Sequence, residues 1–276
     1  MKSEICVYGL ASREVTVVLA SDRLVEAPNW TPDGADLIVN ADGRLYRVPL
    51  NRPDMVEIPT GELNRLNNDH GISPDGRTLV ISDKTEFGES RVYTLSAEGG
   101  TPQLVTETGP SYWHGWSPDG KTLAYVGRRQ AGFQVYTCPV GGGPERQLTD
   151  AFDHCDGPDY SSDGKWLWFN GEVNGQVDLW RVPATGGPPE RMTDDERVNW
   201  FPHPSPKGGA VLYLAYPAGT EGHPRGLEVS LRLLDEADGS VRTLVELFGG
   251  QGTINVPCWA PSGDKFAFVR YARPNG

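Results

Sequence analysis

The sequence predicts an all-β fold, a six-bladed β-propeller with four-stranded antiparallel blades, and three observations carry that prediction. A short phrase recurs six times, beginning at Thr31, Ser73, Ser117, Ser161, Ser205 and Ala260; its full form is Ser-Pro-Asp-Gly, and successive first positions lie 42, 44, 44, 44 and 55 residues apart. Between the phrases run short apolar stretches of period two bounded by Gly and Pro, the mark of strands rather than helices. The 34 Gly and 23 Pro among 276 residues suit many short strands joined by tight turns. A strand-built repeat in the forties is the signature of a propeller with one blade per repeat.

The elements of a blade can be read in order along the third repeat. Residues 112–116 form the first strand, which ends on Trp116; Trp30, Ile72, Tyr160 and Trp259 hold the same place in other repeats. A bulky residue there is predicted to fill the wedge between neighbouring blades. Ser117-Pro118-Asp119-Gly120 is then the hairpin into the second strand. Pro presets φ, Asp bonds back to the local backbone, and Gly accepts the positive φ that reverses the chain. The second strand is 122–126, the third 134–139, and after Gly141-Gly142-Gly143 the fourth begins at Arg146. The second repeat supplies 78–82, 91–95 and 103–106 at these places, and the fourth supplies 165–169, 178–182 and 190–193.

The two ends complete each other. The last repeat provides only first and second strands, 255–259 and 265–271, while 4–10 and 14–20 match third and fourth strands. The strands within 4–20 are therefore predicted to complete the blade begun at 255–271, making residues 1–276 a single propeller domain with no unpaired terminal blade. The 55-residue spacing marks an insertion at 216–226, between the second and third strands of the fifth blade, on the face opposite the turns. Long loops on a rigid ring tend to carry function, although a tolerated surface insertion has the same signature.

Charge and cysteine content exclude several classes. With 25 Lys+Arg against 37 Asp+Glu, the formal net charge of −12 argues against nucleic acid and against an anionic membrane surface. No apolar run could span a bilayer, and the opening Met1-Lys2-Ser3-Glu4-Ile5-Cys6 lacks a secretory core, so the chain reads as cytoplasmic as given. A leader trimmed ahead of it would leave the same sequence. Cys6, Cys138, Cys155 and Cys258 show no Cys-x-x-Cys spacing and read as free thiols.

The run Trp116-Ser117-Pro118-Asp119-Gly120-Lys121-Thr122-Leu123-Ala124-Tyr125, followed by Val135-Tyr136, the glycines and Arg146-Gln147-Leu148-Thr149, resembles the repeat of TolB-type β-propellers. The same repeat is found in propeller domains of prolyl-oligopeptidase relatives. The resemblance covers nearly the whole chain and implies the fold; it does not fix a function, because the repeat serves scaffolds, peptidase gates and carbohydrate-active enzymes alike. The leader and amino-terminal α/β domain of TolB itself are not matched, so its envelope role does not carry over. No Gly-x-Ser-x-Gly occurs, which excludes a serine peptidase on this chain. Gly115-Trp116-Ser117-Pro118-Asp119-Gly120-Lys121-Thr122 fits the phosphate-loop expression by letter only, since it is a hairpin with no helix to follow.

Candidate functional residues lie just upstream of the turns. Three residues before the Ser, four repeats carry Pro28, Pro158, Pro202 and Pro257, but the second and third carry His70 and His114. Asp69 precedes His70, the next repeat contributes Asp153-His154-Cys155-Asp156, and Asn199, His203 and Asn255 follow on later blades. Ring symmetry predicts a channel-mouth set of Asp69, His70, Trp113, His114, Asp156, Asn199, His203 and Asn255. His70, His114 and His154 are the candidates for a divalent metal in the central channel, without a fixed-spacing ligand motif to support them. These side chains could equally satisfy one another within a polar channel.

Two functions follow. The first is a non-catalytic scaffold binding a protein partner or small polar ligand at the channel mouth and loop-rich face. An exposed apolar patch on that face, to which Trp113, Phe152, Trp200 and Phe201 could contribute, would mark it, although the burial preference of aromatics favours the core for Trp200 and Phe201. The alternative is a metal-dependent carbohydrate-active enzyme, lyase or hydrolase, because some oligogalacturonate lyases resemble this repeat and hold a metal on channel histidines. His203 would join His70, His114 and His154 as a ligand there, and Arg128, Arg129 and Arg225 would have to hold an anionic sugar.

Overall fold

Each Ser-Pro-Asp-Gly phrase folds as the hairpin its chemistry dictates. Ser117 Oγ donates to Asp119 Oδ1 at 2.7 Å, that oxygen accepts the Lys121 amide at 3.1 Å, and the Thr122 amide donates to Ser117 Oγ at 2.9 Å. Gly120 closes the turn by donating its amide to Ser117 O at 2.8 Å, with φ 70°. Ser73 and Ser161 build the same network.

The computed structural model describes residues 2–130 and 132–273. Strands β1 (Ser3–Gly9) and β2 (Val15–Ser21) are followed by blade one, β3 (Val25–Trp30), β4 (Asp36–Ala41), β5 (Arg44–Pro49) and β6 (Val56–Ile58). Blade two comprises β7 (Leu66–Ile72), β8 (Thr78–Asp83), β9 (Arg91–Ser96) and β10 (Gln103–Leu104). Blade three comprises β11 (Ser111–Trp116), β12 (Thr122–Arg129), β13 (Gly132–Pro139) and β14 (Arg146–Gln147). Blade four comprises β15 (His154–Tyr160), β16 (Trp166–Val173), β17 (Gln176–Pro183) and β18 (Glu190–Arg191). Blade five comprises β19 (Val198–Pro204), β20 (Ala210–Tyr216), β21 (Leu227–Asp235) and β22 (Val241–Gly249), and β23 (Lys265–Tyr271) ends the series. Five sheets are four-stranded and antiparallel, each in chain order, and among the described residues there is no helix, hence none long and apolar enough to cross a membrane.

The sixth blade closes the ring with both ends of the chain, in the order β2-β1-β23. Its innermost position departs from the expected strand at 255–259. That segment is irregular, joined to β23 by the single bridge Trp259↔Phe266 and by Ala267 N donating to Cys258 O at 2.8 Å. Pro257 has no amide to give a ladder, and Asn255 Oδ1 instead accepts the Gly252 amide at 2.7 Å, which holds the preceding chain in a turn.

The first strand of each regular blade is the one nearest the axis. β3 and β19 are buried at every residue, because neighbouring blades cover both faces. This packing explains why Asn199, Pro202 and His203 interrupt any apolar alternation there. Of the wedge residues, Trp30, Ile72, Trp116 and Trp259 are buried and Tyr160 is half-buried. Contact between blades is close enough to dictate composition: a Cβ on Gly71 would stand 2.1 Å from Cη2 of Trp113 on the next blade. All four cysteines are free and buried.

Candidate functional site at the channel mouth

An irregularity repeated in all five complete blades positions the site. The register of the first strand against the second shifts between Glu26 and Asn29, Leu66 and His70, Trp113 and Gly115, Asp156 and Asp159, and Trp200 and His203. These are β-bulges, which re-aim side chains at strand ends. Ala27 and Phe201, each followed by Pro, take positive φ of 55°, matching Gly157 at 58° on the equivalent place of blade four. The residue five before each turn is Glu26, Asn68, Tyr112, Asp156, Trp200 or Asn255 in successive blades.

Four of those six, Asn68, Tyr112, Asp156 and Asn255, line a cavity of about 290 Å³, together with Asn67, Asp69, His114, Val126, Phe133, His154, His223 and Gln251. Other surface depressions are larger, such as one of about 510 Å³ beside the turns at Ser117 and Asp163, but its charged side chains Asp119, Arg146 and Asp163 are exposed to solvent. At the mouth, His114 Nε2 lies 2.9 Å from Asp156 Oδ1 and 4.0 Å from Asp69 Oδ1, while its Nδ1 lies 3.1 Å from the Asn255 carbonyl oxygen. Both ring nitrogens thus face acceptors, an arrangement that an imidazolium satisfies in full. Burial disfavours the charge on His114, but the two carboxylates outweigh it and raise the imidazole to about 9. Burial likewise opposes ionisation of Asp156, yet the charge and hydrogen bond of His114 prevail and hold it well below the ordinary carboxylate range. Asp69, whose nearest cation is 4.0 Å away, is pushed by burial up to about 7.

The insertion of blade five reaches back over this cluster. His223 Nδ1 donates to Gln251 Oε1, its Nε2 stands 3.6 Å from Asp156 Oδ2, and its ring centroid is 4.3 Å from that of Trp200. Burial lowers its basicity, partly offset by Asp156. Two residues on, Arg225 pairs with Glu26 of blade one, so the loop is anchored across the ring.

The expected mouth residues divide by depth. Asp69, His114, Asp156 and Asn255 line the cavity, and His154 joins them, its ring centroid 5.2 Å from that of Phe133. His70 does not. It pairs directly with Ile81, its Nε2 is 3.2 Å from the Ile38 carbonyl oxygen, and burial lowers its pKa to about 4. On blade three the ladder pairs Trp113 with Tyr125 and Gly115 with Ala124, leaving His114 as the additional residue; on blade two the additional residues fall within 67–69. That one-position difference sends the two imidazoles in different directions. His203 lies deeper, its Nδ1 3.1 Å from Asp159 Oδ2 and its Nε2 2.6 Å from the Ile254 carbonyl oxygen. Asn199 is turned towards blade four, donating to Asp195 Oδ1 at 3.0 Å.

Consequently the imidazole trio suggested for a metal is not assembled, and among the described residues no three His, Cys, Asp or Glu side chains group as metal ligands would. Trp113, Phe152, Trp200 and Phe201 are all buried, the core placement favoured for Trp200 and Phe201, so these four form no exposed aromatic patch. The cavity residues the sequence did not single out are His223, Gln251, Asn67, Asn68, Tyr112, Val126 and Phe133. For His223 the long fifth spacing was the available signal; Gln251 and Asn67 follow no periodic position.

Comparison with known proteins supports the architecture. The TolB β-propeller domain model matches residues 1–156 and 108–273. The chain is 49% identical over 272 residues to an uncharacterized protein of Agrobacterium fabrum, covering 98% of this chain and 93% of that one. A solved structure assigned as TolB from Agrobacterium tumefaciens superposes with TM-score 0.97 at 48% identity, covering 99% of both chains. TolB of Acinetobacter baumannii, at 18% identity and TM-score 0.71, shares the fold over 91% of this chain and 64% of its own.

Proposed function

This chain belongs to the TolB β-propeller family, and on that premise we propose that it is a binding module which seats a small polar ligand, or a polar side chain of a protein partner, in the channel-mouth cavity. One observation carries the reading: Asp69, His114, Asp156 and the insertion's His223, from four blades, converge on one cavity of about 290 Å³. A concave site with few, convergent polar groups is the usual form of a ligand pocket. The test is a screen of small polar compounds followed by the imidazole NMR signals of His114, His154 and His223. Ligands should shift these signals and lose affinity at least tenfold in Asp156→Ala. Hits that leave them unmoved would place binding elsewhere and end the proposal.

A second reading, acid–base chemistry on a carbohydrate at the same cavity, is favoured by the opposed protonation of Asp69 and Asp156. Environments that push two carboxylates apart are how one acid and one base are made available near neutrality. Turnover of a glycan library that is abolished by Asp69→Asn, with binding retained, would select this reading over simple binding.

A further inference from the structure

Three carboxylates, Glu26, Asp69 and Asp156, stand around the mouth with the cations Arg225, His114 and Arg128, the last 5.9 Å over the Phe133 ring, and of the three acids only Asp69 has no cation within hydrogen-bond distance. Glu26 is paired with Arg225 and accepts from Asn68 Nδ2 at 3.2 Å. Asp156 is paired with His114 at 2.9 Å. Asp69 accepts from Asn67 Nδ2 on Oδ2, but its Oδ1 reaches no nearer than 4.0 Å to His114 Nε2, beyond hydrogen-bond range. This carboxyl is 5% exposed and lines the cavity. Burial disfavours the charged form of this carboxyl and drives its pKa upward.

The cavity's other wall tells which donor suits that oxygen. Tyr112 and Phe133 line it with ring centroids 6.0 Å apart, and Phe133 is followed by the His154 ring at 5.2 Å. A carboxylate opposite aromatic rings recognises a cation, through charge-assisted hydrogen bonds to the acid and attraction to the ring faces. An anionic ligand would meet the two carboxylates that line the cavity, Asp69 and Asp156, and a neutral polyol would leave Asp69 without a cation. We propose that the mouth cavity takes a primary ammonium group, donated to Asp69 Oδ1 and flanked by the rings of Tyr112 and Phe133. The inference rests on the mouth cavity being the binding site, as argued above. The ammonium can belong to a free amine or to a lysine side chain of a partner protein, since the recognised chemistry is the same.

Four probes separate these possibilities: n-butylammonium, Nα-acetyl-lysine methylamide, erythritol and butanoate. Each is titrated into the whole protein, with the imidazole signals of His114, His154 and His223 as readout. The expected result is saturable binding of an ammonium probe, weakened at least tenfold by Asp69→Asn and severalfold by Tyr112→Leu, with sheet circular dichroism unchanged. Tighter binding of the lysine amide than of butylammonium points to a protein partner; the reverse order points to a free amine. Binding of erythritol or butanoate in preference to both cations overturns the ligand class and leaves the pocket standing. Silence of all three imidazoles towards all four probes overturns the pocket as well, and undiminished ammonium affinity in Asp69→Asn removes the proposed contact.

Discussion

Replacing His114 by Leu keeps the volume of a buried side chain but removes a charge and two N–H donors. The imidazole side chain is 2% exposed and its partner Asp156 13%, so the variant leaves a nearly buried carboxylate without its cation and the Asn255 carbonyl without its donor. Breaking a buried pair in this way costs about 3–5 kcal/mol. The cost should depend on pH, and the direction follows from the two partners. Folding raises His114 to about 9, from about 6.5 in an unfolded chain, so its contribution is complete below about pH 6.5 and is lost as pH rises towards 9. Folding lowers Asp156, so its contribution is present above about pH 4 and is lost in acid. In the variant, burial without a cation raises Asp156, which then takes a proton in mild acid and recovers part of the loss. Urea unfolding of both proteins at about pH 5, 7 and 9 should therefore give the largest difference at the middle pH. An equal difference at all three would mean that only packing was lost and would refute the ion-pair argument.

Two further variants probe neighbouring parts of the account. Because folding raises the Asp69 carboxyl to about 7, wild-type stability should fall as pH rises from about 4 to about 7; Asp69→Asn should remove that fall and unfold on the order of 1–3 kcal/mol later at about pH 8. A variant no more stable than wild type in alkali would show that the carboxyl is not strained. Gly71→Ala should cost about 1–3 kcal/mol by driving a methyl into Trp113, with its Cβ 2.1 Å from the indole. Combining it with Trp113→Leu should cost less than the two changes summed in urea unfolding, and strict additivity would contradict the contact.

The fold was legible because its determinants are local. Ser117, Asp119 and Gly120 build their hairpin from neighbours within five residues, so the phrase carries its own geometry wherever it occurs. The closing of the ring was legible for a related reason: 4–20 and 265–271 carry strand patterns that match missing pieces of a repeat whose other copies are complete. The site was legible only in part, since it depends on register. His70 and His114 stand at the same distance from their turns, yet the bulge falls one position apart in the two blades, and only His114 reaches the cavity. No composition or period encodes that difference. The informative column was two residues further upstream, where four of the six residues, Asn68, Tyr112, Asp156 and Asn255, line the cavity. Asn255, on the irregular innermost segment, was found although the strand expected around it did not form.

The account centres on one protonated imidazole held between Asp69 and Asp156 at the mouth of the channel. An NMR titration of the histidine ring nitrogens tests it most directly. His114 should keep both ring protons through neutral pH and release one near 9, whereas His70 should remain neutral down to about 4. A His114 ring already neutral at physiological pH would contradict the arrangement.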